Sequence, residues 1–144
     1  MNYKLYFIFI YFLLSIFTTC MAQSGSYGRI TYASAVNIAG RQRMLSQRMS
    51  KAFILQVSGY QDASIQEELK TGIKIFNDQL NILARNTQDT LILNALMKVS
   101  HLWKDYQKLL TTTPNKARAI LILNQNSYLL DLCDKVVQRI EENL

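Results

Sequence analysis

The sequence has few of the residues that make turns, disulfides and metal sites: one proline, five glycines, two cysteines and one histidine among 144 residues. So little Gly and Pro excludes a collagen-like chain, a disordered linker or a turn-rich β-sandwich, and the length allows one domain. The single His101 excludes a Cys₂His₂ zinc site, and Lys98 stands where a Glu-x-x-His pair needs a glutamate. We therefore expect no metal, no cofactor and no enzymatic activity.

Residues 1–22 have the layout of a secretory signal peptide. One charged residue precedes an apolar run from Leu5 to Phe17, and Cys20 and Ala22 form an A-x-A-like cleavage site. We expect cleavage there, which leaves residues 23–144 as a domain in the periplasm or outside the cell. An uncleaved anchor is one alternative, although the run is shorter than the roughly 20 apolar residues of a membrane span. Lipid attachment at Cys20 is another, disfavoured by the Phe and Thr residues before it.

The net charge is +6, from 16 basic and 10 acidic residues. The basic residues are scattered along the chain, and together with export this argues against nucleic-acid binding. A modest positive charge favours anionic ligands or membrane surfaces. Cleavage removes Cys20 and leaves Cys133 alone, so an internal disulfide is excluded and packing is the expected role of this thiol.

Three amphipathic helices are predicted by apolar residues that recur every three or four positions. The second helix of the chain begins at either Asp62 or Ser64 and ends near Ala84. The third precedes the one proline and the fourth follows it, with Thr113 as N-cap and Pro114 at the first helical position. The core positions are Ile65, Leu69, Gly72, Ile73, Phe76, Leu80 and Leu83, then Ile92, Ala95, Leu96, Val99, Leu102, Trp103, Tyr106, Leu109 and Leu110, then Ile122, Asn126, Leu129, Leu130, Cys133, Val136, Val137, Ile140 and Leu144.

The first helix is predicted to be the longest, from about Tyr27 to Ser58, with Gly59 at its end. The connections between the four helices are short, which makes helices that follow each other in sequence antiparallel neighbours in space. We therefore predict an all-α fold, an antiparallel up-down-up-down four-helix bundle.

One arc of the first helix mixes charged and apolar residues. On a helical wheel centred on Asn37, both Arg41 and Arg48 fall on the side that we expect to face the core. The apolar members of this arc are Ile30, Ala33, Met44, Leu45, Ala52 and Leu55. A buried guanidinium needs a carboxylate, carbonyl groups or a bound anion as its partner. Alternatively, the two arginines keep their charged ends in water or pair with the fourth helix. The candidate partners are Asp131, Asp134 and Asn126.

A second stripe of the first helix consists of Val36, Gly40, Arg43 and Gln47, on a flank away from the core. Glycine inside a helix costs about 1 kcal/mol relative to alanine. A glycine on an outer face permits close approach of another helix, so two first helices would meet here in a homodimer. Each Arg43 would then lie beside its symmetry mate, and an anion between them would offset the repulsion. The alternative is a solvated arginine and an incidental glycine.

Residues 37–51, NIAGRQRMLSQRMSK, resemble the signature of the PilJ-type domain. This is the N-terminal domain of type IV pili methyl-accepting chemotaxis proteins, and it is similar to the periplasmic domain of nitrate/nitrite sensor kinases. The pattern Trp103-x-x-Tyr106 and the segment 126–137 resemble the closing helices of the same family. The resemblance implies a periplasmic four-helix sensor bundle that works as a homodimer.

The resemblance also implies roles for individual residues. In the nitrate/nitrite sensors the matching stretch forms an anion site at the dimer interface, where the position of Arg43 supplies one arginine from each chain and Gly40 lies close by. Arg48 matches a second arginine of the stretch. Asn37 matches the asparagine that opens it, with a structural or ligand-orienting role. Arg41 belongs to the pilus-chemoreceptor version of the motif, which weakens the case for nitrate itself.

The sequence is consistent with two functions. The first is a sensor module that captures a small, nitrate/nitrite-like anion between the Arg43 side chains of a homodimer. Family members continue into a second membrane helix and a signalling output, whereas the sequence ends at Leu144, so we expect a separate membrane receptor or signalling protein to receive the signal. The alternative is a structural or protein-interaction bundle with no small-molecule ligand.

Overall fold

The computed structural model describes residues 26–144, so the leader and its cleavage or acylation lie outside the described range. The helices are α1 (Tyr32–Val57), α2 (Ala63–Arg85), α3 (Thr90–Leu110) and α4 (Lys116–Glu141). α1 packs against both α2 and α4, and α3 packs mainly on α4. This arrangement confirms the predicted all-α four-helix bundle. Because successive helices alternate in direction, α1 begins and α4 ends at the same end of the bundle.

A small hairpin precedes α1, and it corrects the predicted start of the first helix at Tyr27. The strands β1 (Ser26–Tyr27) and β2 (Ile30–Thr31) pair antiparallel around Gly28, whose φ is 62°. Glycine adopts this left-handed conformation at little steric cost. The Thr31 side chain then caps α1 by accepting a hydrogen bond from the Ser34 amide at 3.1 Å. The helix therefore begins at residue 32.

Side-chain caps define the starts of the other helices. Asp62 is the N-cap of α2, accepting from the Ser64 amide at 2.7 Å, which decides between the two predicted starts. Asp89 caps α3. The prediction of Thr113 and Pro114 at the start of α4 is wrong, because Asn115 is the N-cap. Its Oδ1 accepts from the Arg118 amide at 2.9 Å, so the proline lies in the preceding turn.

The predicted core positions of α2, α3 and α4 are buried or half-buried, with the exception of Leu144, which is 70% exposed. Phe76 of α2 stacks on Trp103 of α3 with ring centroids 4.0 Å apart. Cys133 of α4 is fully buried, and burial raises the pKa of its thiol to about 12. It is the one free cysteine within residues 26–144, and it serves as a packing residue.

The interior face of α1 consists of mostly small and polar residues, and the prediction that centred this face on Asn37 is wrong. Asn37, Arg41 and Arg48 are exposed on the opposite side of the helix. Leu45 and Ala52 are buried as predicted, but Met44 is 45% exposed. The buried residues are Ala35, Ala39, Gln42, Leu45, Ser46, Met49, Ser50, Ala52 and Phe53. Six of these nine residues are alanine, serine or glutamine, so hydrophobicity alone does not mark the buried side of α1.

Candidate functional site

The candidate site is the solvent-facing side of α1, which we call the α1 stripe. Its members are Asn37, Gly40, Arg41, Arg43, Met44, Gln47, Arg48 and Lys51. Within the described chain, nothing lies within 4 Å of the position that a Cβ on Gly40 would occupy. No neighbour in the described part of the chain therefore requires a glycine here, although glycine lowers the stability of a helix.

Arg43 lies at the edge of the α1 stripe that faces α4. Its Nε atom is 2.8 Å from Oδ1 of Asp134. The side chains are 50% and 39% exposed, so water screens the ion pair and its contribution to stability is modest. The pair nevertheless links α1 to α4 beside Cys133. Asp134 raises the pKa of this thiol and Arg43 lowers it. Asp134 was a candidate partner for Arg41 and Arg48, and the structure assigns it to Arg43 instead.

Arg48 lies at the opposite edge of the α1 stripe, where it faces α2. Its Nε atom donates to Oε1 of Glu68 at 2.8 Å, with side chains 54% and 31% exposed. The expectation of a partner on the fourth helix is therefore wrong for Arg48, whereas the expectation that its guanidinium reaches water is right. Glu68 was missed because it belongs to the polar face of α2, which gives no sequence signal for a contact with α1.

Arg41 lies between these two ion pairs. It is exposed, and among residues 26–144 it has no carboxylate within salt-bridge distance. Asn37 is exposed one turn before Arg41. The structure thus places all five predicted site residues on or beside one helix face. Arg43 and Arg48 are anchored to the neighbouring helices, and Arg41 is free in the described part of the chain.

A buried polar network lies behind the α1 stripe, and the sequence analysis predicted only part of it. Ser50 Oγ donates to the Ser46 carbonyl oxygen at 2.9 Å and shares a short hydrogen bond with the hydroxyl of Tyr106. The Tyr106 hydroxyl also lies 3.3 Å from Oδ1 of Asn126. Burial raises the pKa of Tyr106 to about 12, while the hydrogen bond with Ser50 acts in the opposite direction. The network joins α1, α3 and α4 through one neutral hydroxyl.

Gln42 is a second buried polar residue within the signature. Its Nε2 donates to the Phe76 carbonyl oxygen at 3.4 Å, and its Oε1 is buried without a hydrogen-bond partner in the described chain. The available signal for this buried side was the spacing of Gln42, Ser46 and Ser50, each four residues apart and in phase with Ala35 and Ala39. The signature therefore combines an exposed basic face with a buried polar face.

Two other features are absent from residues 26–144, a metal-binding cluster and a membrane-spanning helix. The described side chains contain no group of three or more His, Cys, Asp or Glu residues that is placed to hold a metal ion. In the same range, no helix is both long and apolar enough to cross a membrane.

Comparisons with known proteins identify the family. Residues 31–128 match the family model PilJ, described as the N-terminal part of type IV pili methyl-accepting chemotaxis transducers. No curated protein and no solved structure matches the chain. The family match spans more than half of the sequence and includes α1, α2, α3 and the first half of α4. The chain therefore belongs to the PilJ family, the N-terminal sensor-type domains of type IV pili methyl-accepting chemotaxis transducers.

Proposed function

We propose that this chain is an exported sensor domain that binds a small anion between the α1 helices of two copies. Cleavage after residue 22 would release residues 23–144 into the periplasm or the medium, where a separate membrane receptor or signalling protein would receive the signal. Membership in a transducer family rather than a catalytic one supports the sensing role. The observation that carries the anion site is the α1 stripe, where Gly40 is uncovered between the basic side chains.

Gly40 supports a partner helix at this face. A glycine at the middle of an exposed helix costs about 1 kcal/mol relative to alanine, and no neighbour in the described chain requires it. A second α1 helix packed across Gly40 would gain close backbone approach from the missing side chain. In a two-fold dimer both copies use the same patch, and a residue close to the axis approaches its own symmetry mate. With the axis beside Gly40, Arg43 of each copy would be such a residue.

The charge of the α1 stripe supports an anionic ligand. Arg41, Arg43, Arg48 and Lys51 contribute four positive charges, and the two carboxylates paired with them, on Asp134 and Glu68, contribute two negative ones. Each copy therefore brings a net charge of +2 to the interface, and a dimer doubles it. A small anion between the two copies offsets this repulsion, and planar anions such as nitrate match the hydrogen-bonding fork of a guanidinium.

The test is the thermal unfolding midpoint of the protein, expressed with its own leader and purified from the exported fraction. Nitrate, nitrite, other small anions and amino acids are added at constant ionic strength. A ligand at a hundredfold excess over its Kd adds about 2.7 kcal/mol, which is several degrees for a domain of this size. We expect a selective increase that Arg43→Ala abolishes. Arg139→Ala is the matched control, because Arg139 also pairs with an exposed carboxylate, that of Glu142.

A structural or protein-interaction role is the second candidate, and one observation favours it. The ion pairs of Arg43 with Asp134 and of Arg48 with Glu68 connect α1 to both neighbouring helices, so these arginines have partners without any ligand. An unchanged midpoint across the whole anion panel, with dimerisation retained, would favour this role. Equal midpoint increases in wild type and Arg43→Ala would place any anion elsewhere.

A further inference from the structure

Asp134 is the carboxylate that already pairs with Arg43, where an anion would bind. Its Oδ1 lies 2.8 Å from Nε of Arg43, so a negatively charged group already occupies part of the guanidinium. A bound anion needs the same positive charge, and one that binds the Nε edge of the guanidinium in a bidentate manner needs the N–H donor that Asp134 holds. Asp131, one turn earlier on α4, carries an identical charge but pairs with Lys135 at 2.6 Å. Asp134 is thus placed to compete at this site, and Asp131 is not.

The charge balance shows what this competition means in a dimer. Two copies of Arg43 bring two positive charges, and two copies of Asp134 bring two negative ones. While both pairs stay closed, these four groups sum to zero and Arg43 adds no net attraction for an anion. The net positive charge of the stripe then comes from its other basic side chains. Binding at Arg43 becomes favourable when the carboxylate withdraws and leaves the guanidinium to the ligand.

We propose that Asp134 lowers the anion affinity of this site: it holds Arg43 in the unliganded protein, and an anion binds by taking its place on the guanidinium. The proposal rests on the anion-binding function proposed above. Asp134 sets how much free energy an anion must supply, and it disfavours anions that pair with arginine more weakly than a carboxylate does. It also explains how Arg43 keeps a fixed position when no ligand is present.

The surroundings of Asp134 permit such an exchange without unfolding. Its side chain is 39% exposed and that of Arg43 is 50% exposed, so water can replace either partner. The preceding residue, Cys133, is fully buried and fixes the backbone of α4 at this point. Movement of the Asp134 side chain alone is therefore sufficient. Exposed ion pairs of this kind are weak, which corresponds to an effect of about two- to fivefold on affinity for each site.

The experiment compares anion affinity in Asp134→Asn and Asp131→Asn by isothermal titration with nitrate and nitrite at constant ionic strength. Both substitutions remove one negative charge from the exposed side of α4, but only the first frees Arg43. We expect Asp134→Asn to bind about two- to fivefold more tightly than wild type for each site. Asp131→Asn should bind like wild type. Unfolding midpoints without anion verify that both variants remain folded.

The outcomes separate this inference from the proposed function. Unchanged or weaker binding by Asp134→Asn overturns the inference, while loss of binding in Arg43→Ala still supports the anion site. Equal gains in both α4 variants would mean a general charge effect and also overturn it. If neither wild type nor Asp134→Asn binds any anion, the proposed function fails and the inference fails with it. Binding by Asp134→Asn alone would support both.

Discussion

Tyr106 is the residue that connects most of the bundle through a single polar atom. Its hydroxyl contacts Ser50 on α1 and Asn126 on α4, while its ring is fully buried on α3. A buried hydroxyl without a partner would be costly, so these hydrogen bonds favour one relative position of the three helices. The buried polar face of α1 thus specifies how α1 sits against the rest of the molecule.

We expect Tyr106→Phe to lower the free energy of unfolding by about 1–3 kcal/mol, because Ser50 and Asn126 lose a partner inside the core. Urea denaturation measures the difference. Tyr128→Phe is the matched control, since Tyr128 is 58% exposed, and it should change stability by less than about 0.5 kcal/mol.

The same variant has a pH signature. The pKa of Tyr106 is about 12 in the folded protein and about 10 in the unfolded chain. Between these two values the unfolded chain loses the hydroxyl proton while the folded protein keeps it, which favours unfolding. The contribution of the Tyr106 hydroxyl to stability is therefore complete below pH 10 and is lost as the pH rises towards 12. The stability difference between wild type and Tyr106→Phe should shrink over this interval. A constant difference would contradict the assigned burial of the hydroxyl.

At the scale of single elements, the N-terminal hairpin explains how α1 is fixed at its start. Tyr27 is 2% exposed, and its hydroxyl donates to the Leu83 carbonyl oxygen at 3.0 Å. The Arg29 amide donates to Oδ1 of Asn86 at 3.0 Å. The hairpin is thus attached to the end of α2, and a Cβ on Gly28 would lie 2.3 Å from the Asn86 carbonyl oxygen.

We expect Gly28→Ala to destabilise the protein more than Gly59→Ala. Both glycines have positive φ, 62° and 92°, so each substitution carries the backbone strain of about 1–2 kcal/mol. A Cβ on Gly28 would also clash with the backbone of Asn86, whereas nothing lies within 4 Å of a Cβ on Gly59 in the described chain. Urea denaturation of the two variants isolates the contact with α2. Equal losses of unfolding free energy in the two variants would show that the close approach of Gly28 to Asn86 does not contribute to stability.

How far the sequence predicts each element depends on what fills its buried side. The stripes of α2, α3 and α4 are built from large apolar residues such as Phe76, Trp103 and Ile122, and their periodicity predicts them well. α1 buries alanine, serine and glutamine together with three large apolar residues, Leu45, Met49 and Phe53. Met44 on its other face is partly exposed, so hydrophobicity alone misplaces its core. The hairpin escapes prediction because its strands have two residues each.

For the candidate site, the sequence identifies Arg43 and Gly40 as outward-facing but not the carboxylate beside Arg43. The pairing with Asp134 depends on the axial position of α4 against α1, which is set by core contacts far apart in sequence. The helical wheel and the resemblance to the PilJ-type signature both indicate the site residues, whereas their partners follow only from the three-dimensional packing. The anion and the dimer remain predictions that the proposed measurements test.

At the scale of the whole molecule, the uncovered Gly40 provides a direct test of self-association. We expect Gly40→Leu to abolish dimerisation, since a leucine would keep two α1 helices apart. The monomer should be unchanged or more stable by up to about 1 kcal/mol, because the site is open and leucine favours a helix. Sedimentation equilibrium measures the first effect, and thermal unfolding of the dilute protein measures the second.

Ala84→Leu is the control for that experiment. Ala84 is exposed near the end of α2, so the substitution adds comparable bulk on a face outside the α1 stripe and should leave the oligomeric state unaltered. A dimer that survives Gly40→Leu would place the contact between copies on another face. The anion site at Arg43 would then have to form within one copy.

The alternating directions of the helices have a consequence for attachment. The hairpin that leads into α1 and the last residues of α4 lie at one end of the bundle, and the turns around Tyr60 and Pro114 lie at the other. A label joined at Ser26 or at Leu144 therefore lies at the same end of the bundle. If the protein is immobilised through Leu144, the axis of α1 would point away from the support. The turn at Tyr60 would then lie farthest from the support, and the α1 stripe would stay open to solvent along its length.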